Sequence, residues 1–116
     1  MEPIEQYFEN VRRSAITIKK QQPFLDWLLL HDKQMIVDEM VLEGDVYLLP
    51  DFETTEEMEK WMKNHFDMLF TDQLNGWYTD KSMWPQNRTF KLFKEWFSYS
   101  LYTMVWDTQE DLIEKE

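Results

Sequence analysis

The sequence predicts an α+β domain in which several helices pack on a three-stranded sheet. Three short runs rich in β-branched and apolar residues have the character of strands, at about 14–19, 45–49 and 99–106. Segments around them repeat apolar residues every three or four positions, which predicts helices at about 3–12, 23–31, 54–70 and 88–97. With 116 residues, the chain is expected to form a single domain around one core. Strands and helices in this order are typical of a small α+β sandwich.

The first half of the chain supplies two helices and one strand of this prediction. An opening helix is expected because Ile4, Tyr7, Phe8 and Val11 share one helical face. The first strand, SAITIK, is followed by KKQQP, in which Pro23 suits the first turn of the second helix. Residues 32–43 stay ambiguous between a short helix and an irregular connection, because the apolar run is too short to reveal a period.

The second half begins with VYLL, a nearly continuous apolar run that Pro50 ends, as in a strand buried on both faces. Thr54 and Glu57 then have the spacing of a capping box, which predicts the start of a long amphipathic helix. Asn87 is the expected N-cap of the last helix. YSLYTMVW predicts the third strand, and residues 108–116 form an acidic tail.

Composition excludes several classes of protein. There is no cysteine, which excludes disulfides, thiolate metal sites and cysteine nucleophiles. Two glycines are too few for a glycine-rich phosphate loop. His31 and His65 have no second ligand at metal spacing, so we expect two boundary histidines and no metal site or cofactor. The acidic N-terminus fits neither a signal peptide nor a membrane span, so the expected location is the cytoplasm, without membrane association.

Negative charge is unevenly distributed along the chain. The formal net charge is −11, and nine acidic residues but no basic residue lie between Lys33 and Lys60. Such a field repels nucleic-acid phosphates and attracts basic proteins, so direct nucleic-acid binding is not expected. Part of this run has an ordinary explanation, because carboxylates in the first turn of a helix favour its dipole. The alternative is an acidic face that docks a basic partner, formed by Asp51, Glu53, Glu56 and Glu57.

The segment WYTDKSMWPQNRTF, residues 77–90, contains the strongest candidate for a ligand site. Arg88 follows the expected N-cap and would oppose the helix dipole unless a carboxylate compensates it, with Asp80, Asp107 and Asp51 as candidate partners. One interpretation is structural: a loop pinned by buried tryptophans and an ion pair, with a trans peptide bond before Pro85. The other is a small pocket in which Arg88 grips an anion. Its walls would be Trp77, Asp80, Trp84, Asn87 and Arg88.

Five motifs together resemble a widespread family of small, acidic, uncharacterised bacterial proteins. These motifs are PFLDWL, YLLPDF, LNGWYTD, WPQNRTF and FKEWF, and the resemblance extends from about Ala15 to Asp107. It implies a bacterial cytoplasmic protein but no activity, cofactor or partner. Residues 1–13 have the weakest resemblance and are interpreted as an N-terminal addition.

Three functions are consistent with these patterns. The first is a non-enzymatic module that binds a basic protein through the acidic face or the aromatic loop. The second is a small-anion-binding protein or enzyme that uses Arg88 and Asp80 with Trp77 and Trp84. The third is an acidic mimic of nucleic acid that inhibits a nucleic-acid-binding protein. No residue has a pattern that predicts a catalytic role, and the oligomeric state is left open.

Overall fold

Helices and two small antiparallel sheets alternate along the chain in a computed structural model, which describes residues 9–116. The elements confirm the predicted α+β class. The strands are β1 (Glu9–Val11), β2 (Ser14–Lys20), β3 (Asp45–Leu49), β4 (Phe97–Tyr102) and β5 (Val105–Asp107). The helices are α1 (Gln22–His31), α2 (Glu39–Leu42), α3 (Thr55–Asn75) and α4 (Phe90–Trp96), with a 3₁₀ turn at Lys81–Met83.

The larger sheet has the order β3–β2–β4, with both neighbours antiparallel to β2. Its register aligns Ile16 with Tyr47 and Leu101, and it aligns Ala15 with Leu48 and Tyr102. Because side chains alternate between the faces of a strand, these two rows lie on opposite sides of the sheet. The inner face, which includes Ile16, Ile18, Tyr47, Leu49, Tyr99 and Leu101, belongs to the core.

An aromatic core fills the space between the inner face and the helices. Phe24, Phe70, Phe93 and Phe97 are all essentially inaccessible to solvent. Phe70 meets Phe97 edge to face at 5.3 Å between ring centroids and lies 5.8 Å from Phe93. Edge-to-face and tilted contacts of this kind are the favoured arrangements of aromatic pairs. The described helices therefore pack on the inner face of the sheet.

The predicted third strand, at about 99–106, is wrong in one respect: two strands occupy it. β4 pairs with β2, whereas β5 pairs with β1 in a separate two-stranded sheet. Between the aligned pairs Val11–Val105 and Ala15–Tyr102, the three residues 12–14 stand opposite only two, Thr103 and Met104. An extra residue on one strand produces a bulge, which bends the ribbon and interrupts the ladder.

The predicted opening helix, at about 3–12, is contradicted where it can be compared. Residues 9–11 form β1, because pairing with β5 satisfies their backbone groups. The remainder of that predicted helix lies outside the described residues. Of the four apolar residues on which that helix was predicted, only Val11 lies in the described range, where it pairs with Val105.

The long helix is confirmed, and it is longer than predicted. The Thr54 hydroxyl accepts a hydrogen bond from the Glu57 backbone N–H at 3.1 Å, as expected for the N-cap. The helix continues to Asn75 because its buried stripe continues through Leu74. The ambiguous stretch 32–43 contains one helical turn, α2, which the Asp38 side chain caps.

The last helix starts later than predicted. Thr89, rather than Asn87, is the N-cap of α4, and its hydroxyl accepts from the Leu92 backbone N–H at 3.1 Å. Asn87 has a positive φ of 57°, a turn conformation that asparagine tolerates better than most residues. Arg88 therefore precedes the cap and is not in the first turn of the helix.

Candidate functional site

The Trp-Pro segment is a loop held from both sides by indole hydrogen bonds. Trp84 is buried, and its Nε1–H donates to the backbone oxygen of Tyr78 at 2.7 Å. Trp27, on α1, donates in the same way to the backbone oxygen of Met83 at 2.7 Å. The Asp80 carboxylate takes neither bond. The peptide bond before Pro85 is trans.

Arg88 is the ion-pairing residue of this loop, but its partner is Asp67 on α3. Its Nε and Nη2 donate to the two Asp67 carboxylate oxygens at 2.7 and 3.3 Å, and Nη1 donates to the Pro85 backbone oxygen at 2.9 Å. The predicted partners Asp80, Asp107 and Asp51 are not used. Asp67 belongs to the polar face of α3, and the loop that contains Arg88 passes over that face. Each guanidinium nitrogen thus already has a protein acceptor.

The five predicted pocket residues do not form one pocket. Of the five, Trp84 and Arg88 line one cavity together, with the guanidinium carbon 5.9 Å from the centre of the indole ring. Asp80 caps the 3₁₀ turn, and its hydrogen bonds from the Ser82 hydroxyl and N–H keep the pKa of its carboxyl below the usual value. Asn87 is exposed in a turn, and Trp77 lines a different cleft, described below.

Both histidines are exposed and contact aromatic rings at the edge of the core. His65 stacks on Trp61 with ring centroids 4.5 Å apart, and its Nδ1 lies 2.9 Å from the Trp61 backbone oxygen. His31 packs edge-on against Trp27 and Tyr78. In the part of the chain that the structure describes, no group of three histidine or carboxylate side chains is placed to hold a metal ion.

The acidic face has the exposure that a docking surface requires. Asp51 and Glu53 lie in the turn after β3, Glu56 and Glu57 lie in the first turn of α3, and all four are exposed. None of them forms an ion pair with another residue in the range 9–116. Asp51 and Glu53 also line a cavity of about 570 Å³ together with Met104. Apolar and acidic surfaces therefore meet at this end of the molecule.

The outer face of the larger sheet is a second accessible surface, which the sequence analysis missed. It consists of Ala15, Thr17, Lys19, Val46, Leu48, Ser98, Ser100 and Tyr102, as the strand register requires. Val46, Leu48 and Tyr102 are 65%, 47% and 49% exposed. The apolar run VYLL predicted a strand buried on both faces, but the part of the chain that the structure describes covers only one face of β3.

A polar cleft lies beside Trp77, at the junction of β3 with the C-terminal end of α3. Gln73 Nε2 donates to Asp45 Oδ2 at 2.8 Å and to the Tyr47 oxygen at 2.7 Å, and the Tyr47 hydroxyl donates to Asp72 Oδ2 at 2.6 Å. The sequence contained a signal for this network. Gln73 continues the buried stripe of α3, three residues after Phe70, and a polar residue at such a position needs partners.

Burial and carboxylate hydrogen bonds raise the pKa of two tyrosines, Tyr47 beside Asp72 and Tyr99 beside Glu59. Burial also raises the pKa of Tyr78. The pKa values of these tyrosines in the folded protein lie above the value of about 10 in the unfolded chain. The stability that comes from this difference is therefore complete below about pH 10. It is lost as the pH rises through the folded-state values.

We therefore expect tyrosinate absorbance to develop at higher pH in the native protein than in the urea-unfolded protein. Tyr47→Phe should remove one tyrosine from the late component. Coincident titration curves for native and unfolded protein would contradict the assignment.

No family model, curated protein or solved structure matches this chain. Within residues 9–116, no helix is both long enough and apolar enough to cross a membrane. Function is therefore inferred from the surfaces and clefts of the chain itself.

Proposed function

We propose that the chain is a non-enzymatic protein-binding module that docks a basic, partly apolar segment of another protein on the outer face of its larger sheet. The observation that carries the proposal is that Val46, Leu48 and Tyr102 are exposed together on a face that no described helix covers. Leu48 and Tyr102 stand on either side of Ala15 in one row across the three strands. Exposed apolar surface with a polar rim is typical of binding sites.

Charge specifies the chemistry of the partner. The acidic face begins directly after Pro50, so carboxylates follow the C-terminal end of β3, close in sequence to Leu48. A partner that combines lysine or arginine with apolar side chains would satisfy both surfaces. Rim charges mainly accelerate association and are screened by salt, whereas the apolar contacts are far less sensitive to ionic strength.

The edge of the sheet supports an extended partner segment. β3 is an outermost strand, so one of its edges has no strand partner within the described part of the chain. A segment that pairs with this edge would gain main-chain hydrogen bonds, and alternate side chains would lie beside Val46 and Leu48. The proposal therefore specifies a β-strand in the partner.

The alternative of a small-anion site at Arg88 and Asp80 has less support. Asp67 and the Pro85 backbone already accept from the three guanidinium nitrogens, and Asp80 accepts from Ser82. A nucleic-acid mimic would depend on the acidic face alone and would not need the apolar outer face. Family membership, bacterial origin and cytoplasmic location stay predictions.

The test is capture of partners from native lysate by the immobilised chain, followed by binding of each captured protein in purified form. We expect Leu48→Thr with Tyr102→Thr to abolish capture, because threonine keeps the strand preference but removes apolar area. Neutralising Asp51, Glu53, Glu56 and Glu57 to their amides should weaken capture at low salt and have little effect at high salt.

Leu30→Thr provides the matched control, since Leu30 on α1 is also highly exposed but lies away from the sheet. It should leave capture unchanged. Hydrogen exchange of residues 45–49 should slow when a purified partner binds. Recovery of the same partners by the wild type and the Leu48/Tyr102 variant would refute the proposed face. Loss of capture only in the neutralised variant would favour the nucleic-acid mimic.

A further inference from the structure

The cleft beside Trp77 has the size of a small-molecule site. It lies between the end of β2, the start of β3 and the last turn of α3, and its volume is about 470 Å³. Ligand sites in proteins typically occupy about 300–1,000 Å³. Its lining combines a lysine, carboxylates, an amide and an indole ring, provided by Lys20, Glu43, Asp45, Asp72, Gln73 and Trp77.

One polar atom of this lining, the Gln73 side-chain oxygen, has no hydrogen-bond partner in the described part of the chain. Because a carboxylate oxygen only accepts, the Gln73 amide nitrogen must face Asp45, and its oxygen points away from it. That oxygen accepts no hydrogen bond from residues 9–116. It is not sealed from solvent. A ligand that donates a hydrogen bond would satisfy it.

The carboxylates of the cleft also have unused acceptor capacity. Asp45 accepts from Gln73 through Oδ2, and Asp72 accepts from Tyr47 through Oδ2. The second oxygen of each has no hydrogen bond to the described part of the chain. A ligand ammonium group would meet carboxylate oxygens and the Gln73 oxygen together.

Lys20 supplies the opposite charge in the same cleft. Its ammonium lies 5.7 Å from the ring centre of Phe24 and 5.6 Å from that of Trp77. No carboxylate of residues 9–116 comes within 4 Å of it. Burial lowers the pKa of Lys20, while Asp45 and Glu43 oppose this shift. The cleft thus presents a cation beside anions with which it is not directly paired.

We propose that this cleft binds an α-amino acid with an apolar side chain. The ligand carboxylate pairs with Lys20, its ammonium donates to the Gln73 oxygen and to Asp45 or Asp72, and its side chain lies against Trp77. An α-amino acid carries its two charges a few bonds apart, which suits neighbouring but unpaired protein charges. A simple amine leaves Lys20 without a partner, and a simple carboxylate leaves the acceptors without one. This inference does not depend on the proposed protein-binding function.

The experiment compares three probes that share a phenyl ring: L-phenylalanine, phenethylamine and hydrocinnamate. Calorimetric titration and the indole N–H signal of Trp77 report binding to the unmodified protein. We expect saturable binding of phenylalanine and binding at least about tenfold weaker for each analogue, since each lacks one set of charge-assisted hydrogen bonds. Absence of phenylalanine binding, or equal binding of either analogue, would overturn the proposal.

Lys20→Met isolates the carboxylate contact because methionine keeps the length of the side chain without its charge. It should weaken phenylalanine about tenfold and leave the weak binding of phenethylamine unchanged. Lys63→Met, on the exposed side of α3, is the control and should bind as wild type does. Wild-type affinity in a folded Lys20→Met protein would refute the assignment. The comparison of analogues does not depend on that variant folding.

Discussion

Phe70→Ala is expected to lower the free energy of unfolding by about 3–5 kcal/mol, the usual cost of removing a buried phenylalanine ring from a core. Phe70 is fully buried and touches rings on α4 and at the start of β4, with centroids 5.3–5.8 Å away. Removing this ring takes away aromatic contacts that α3 makes with both α4 and β4. Because a whole domain is stable by only about 5–15 kcal/mol, this single change should remove a large part of the total.

Urea unfolding followed by circular dichroism provides the measurement. Met68→Ala is the control, because Met68 lies two residues away on the same helix and is mostly exposed. It should change stability by less than about 0.5 kcal/mol. A loss in Phe70→Ala no larger than in Met68→Ala would show that the aromatic cluster does not form the core.

Arg88→Ala is expected to destabilise the protein by about 2 kcal/mol, near the lower part of the range for hydrogen bonds to charged groups. Arg88 is 19% exposed, but Asp67 is 51% exposed, so solvent weakens the attraction between them. The variant also loses the hydrogen bond to Pro85 and the contact with the Trp84 ring. Thermal unfolding should show a lower melting temperature than for Lys63→Ala, which removes an exposed charge from α3.

A double-mutant cycle with Asp67→Asn separates the ion pair from the packing contribution. Arg88→Lys should recover only part of the loss, because an ammonium group does not reproduce the forked geometry of guanidinium. Equal melting temperatures for Arg88→Ala and Lys63→Ala would refute the structural role. In that case Arg88 would again be a candidate for binding an anion.

Local signals in the sequence were sufficient for most helices and strands. Thr54 and Pro23 mark helix starts that the structure retains, because capping and proline geometry depend only on nearby residues. The strand at 45–49 has the predicted bounds. Thr89 shows the limit of these rules. Asn87 is an equally good N-cap by residue type, but its backbone has a positive φ and the helix begins after Thr89 instead.

Long-range pairing was the main source of error. The split of 99–106 into β4 and β5 follows from a bulge at residues 12–14, and a bulge depends on the register of two distant segments. The pairing of Arg88 with Asp67 has the same origin. Sequence indicated that the arginine needed a carboxylate, but twenty-one positions separate the two residues, and only the packing of the loop on α3 brings them together.

The candidate sites also divide into features that the sequence predicts and features that depend on tertiary packing. Acidity, the absence of cysteine and the buried aromatic loop are properties of composition and short-range pattern, so they were accessible without coordinates. The outer face and the amino-acid cleft depend on which side of the sheet the helices cover and on where α3 ends. Side chains from strands and helices far apart in the chain form both sites, and only the packing of these elements in space determines which side chains meet.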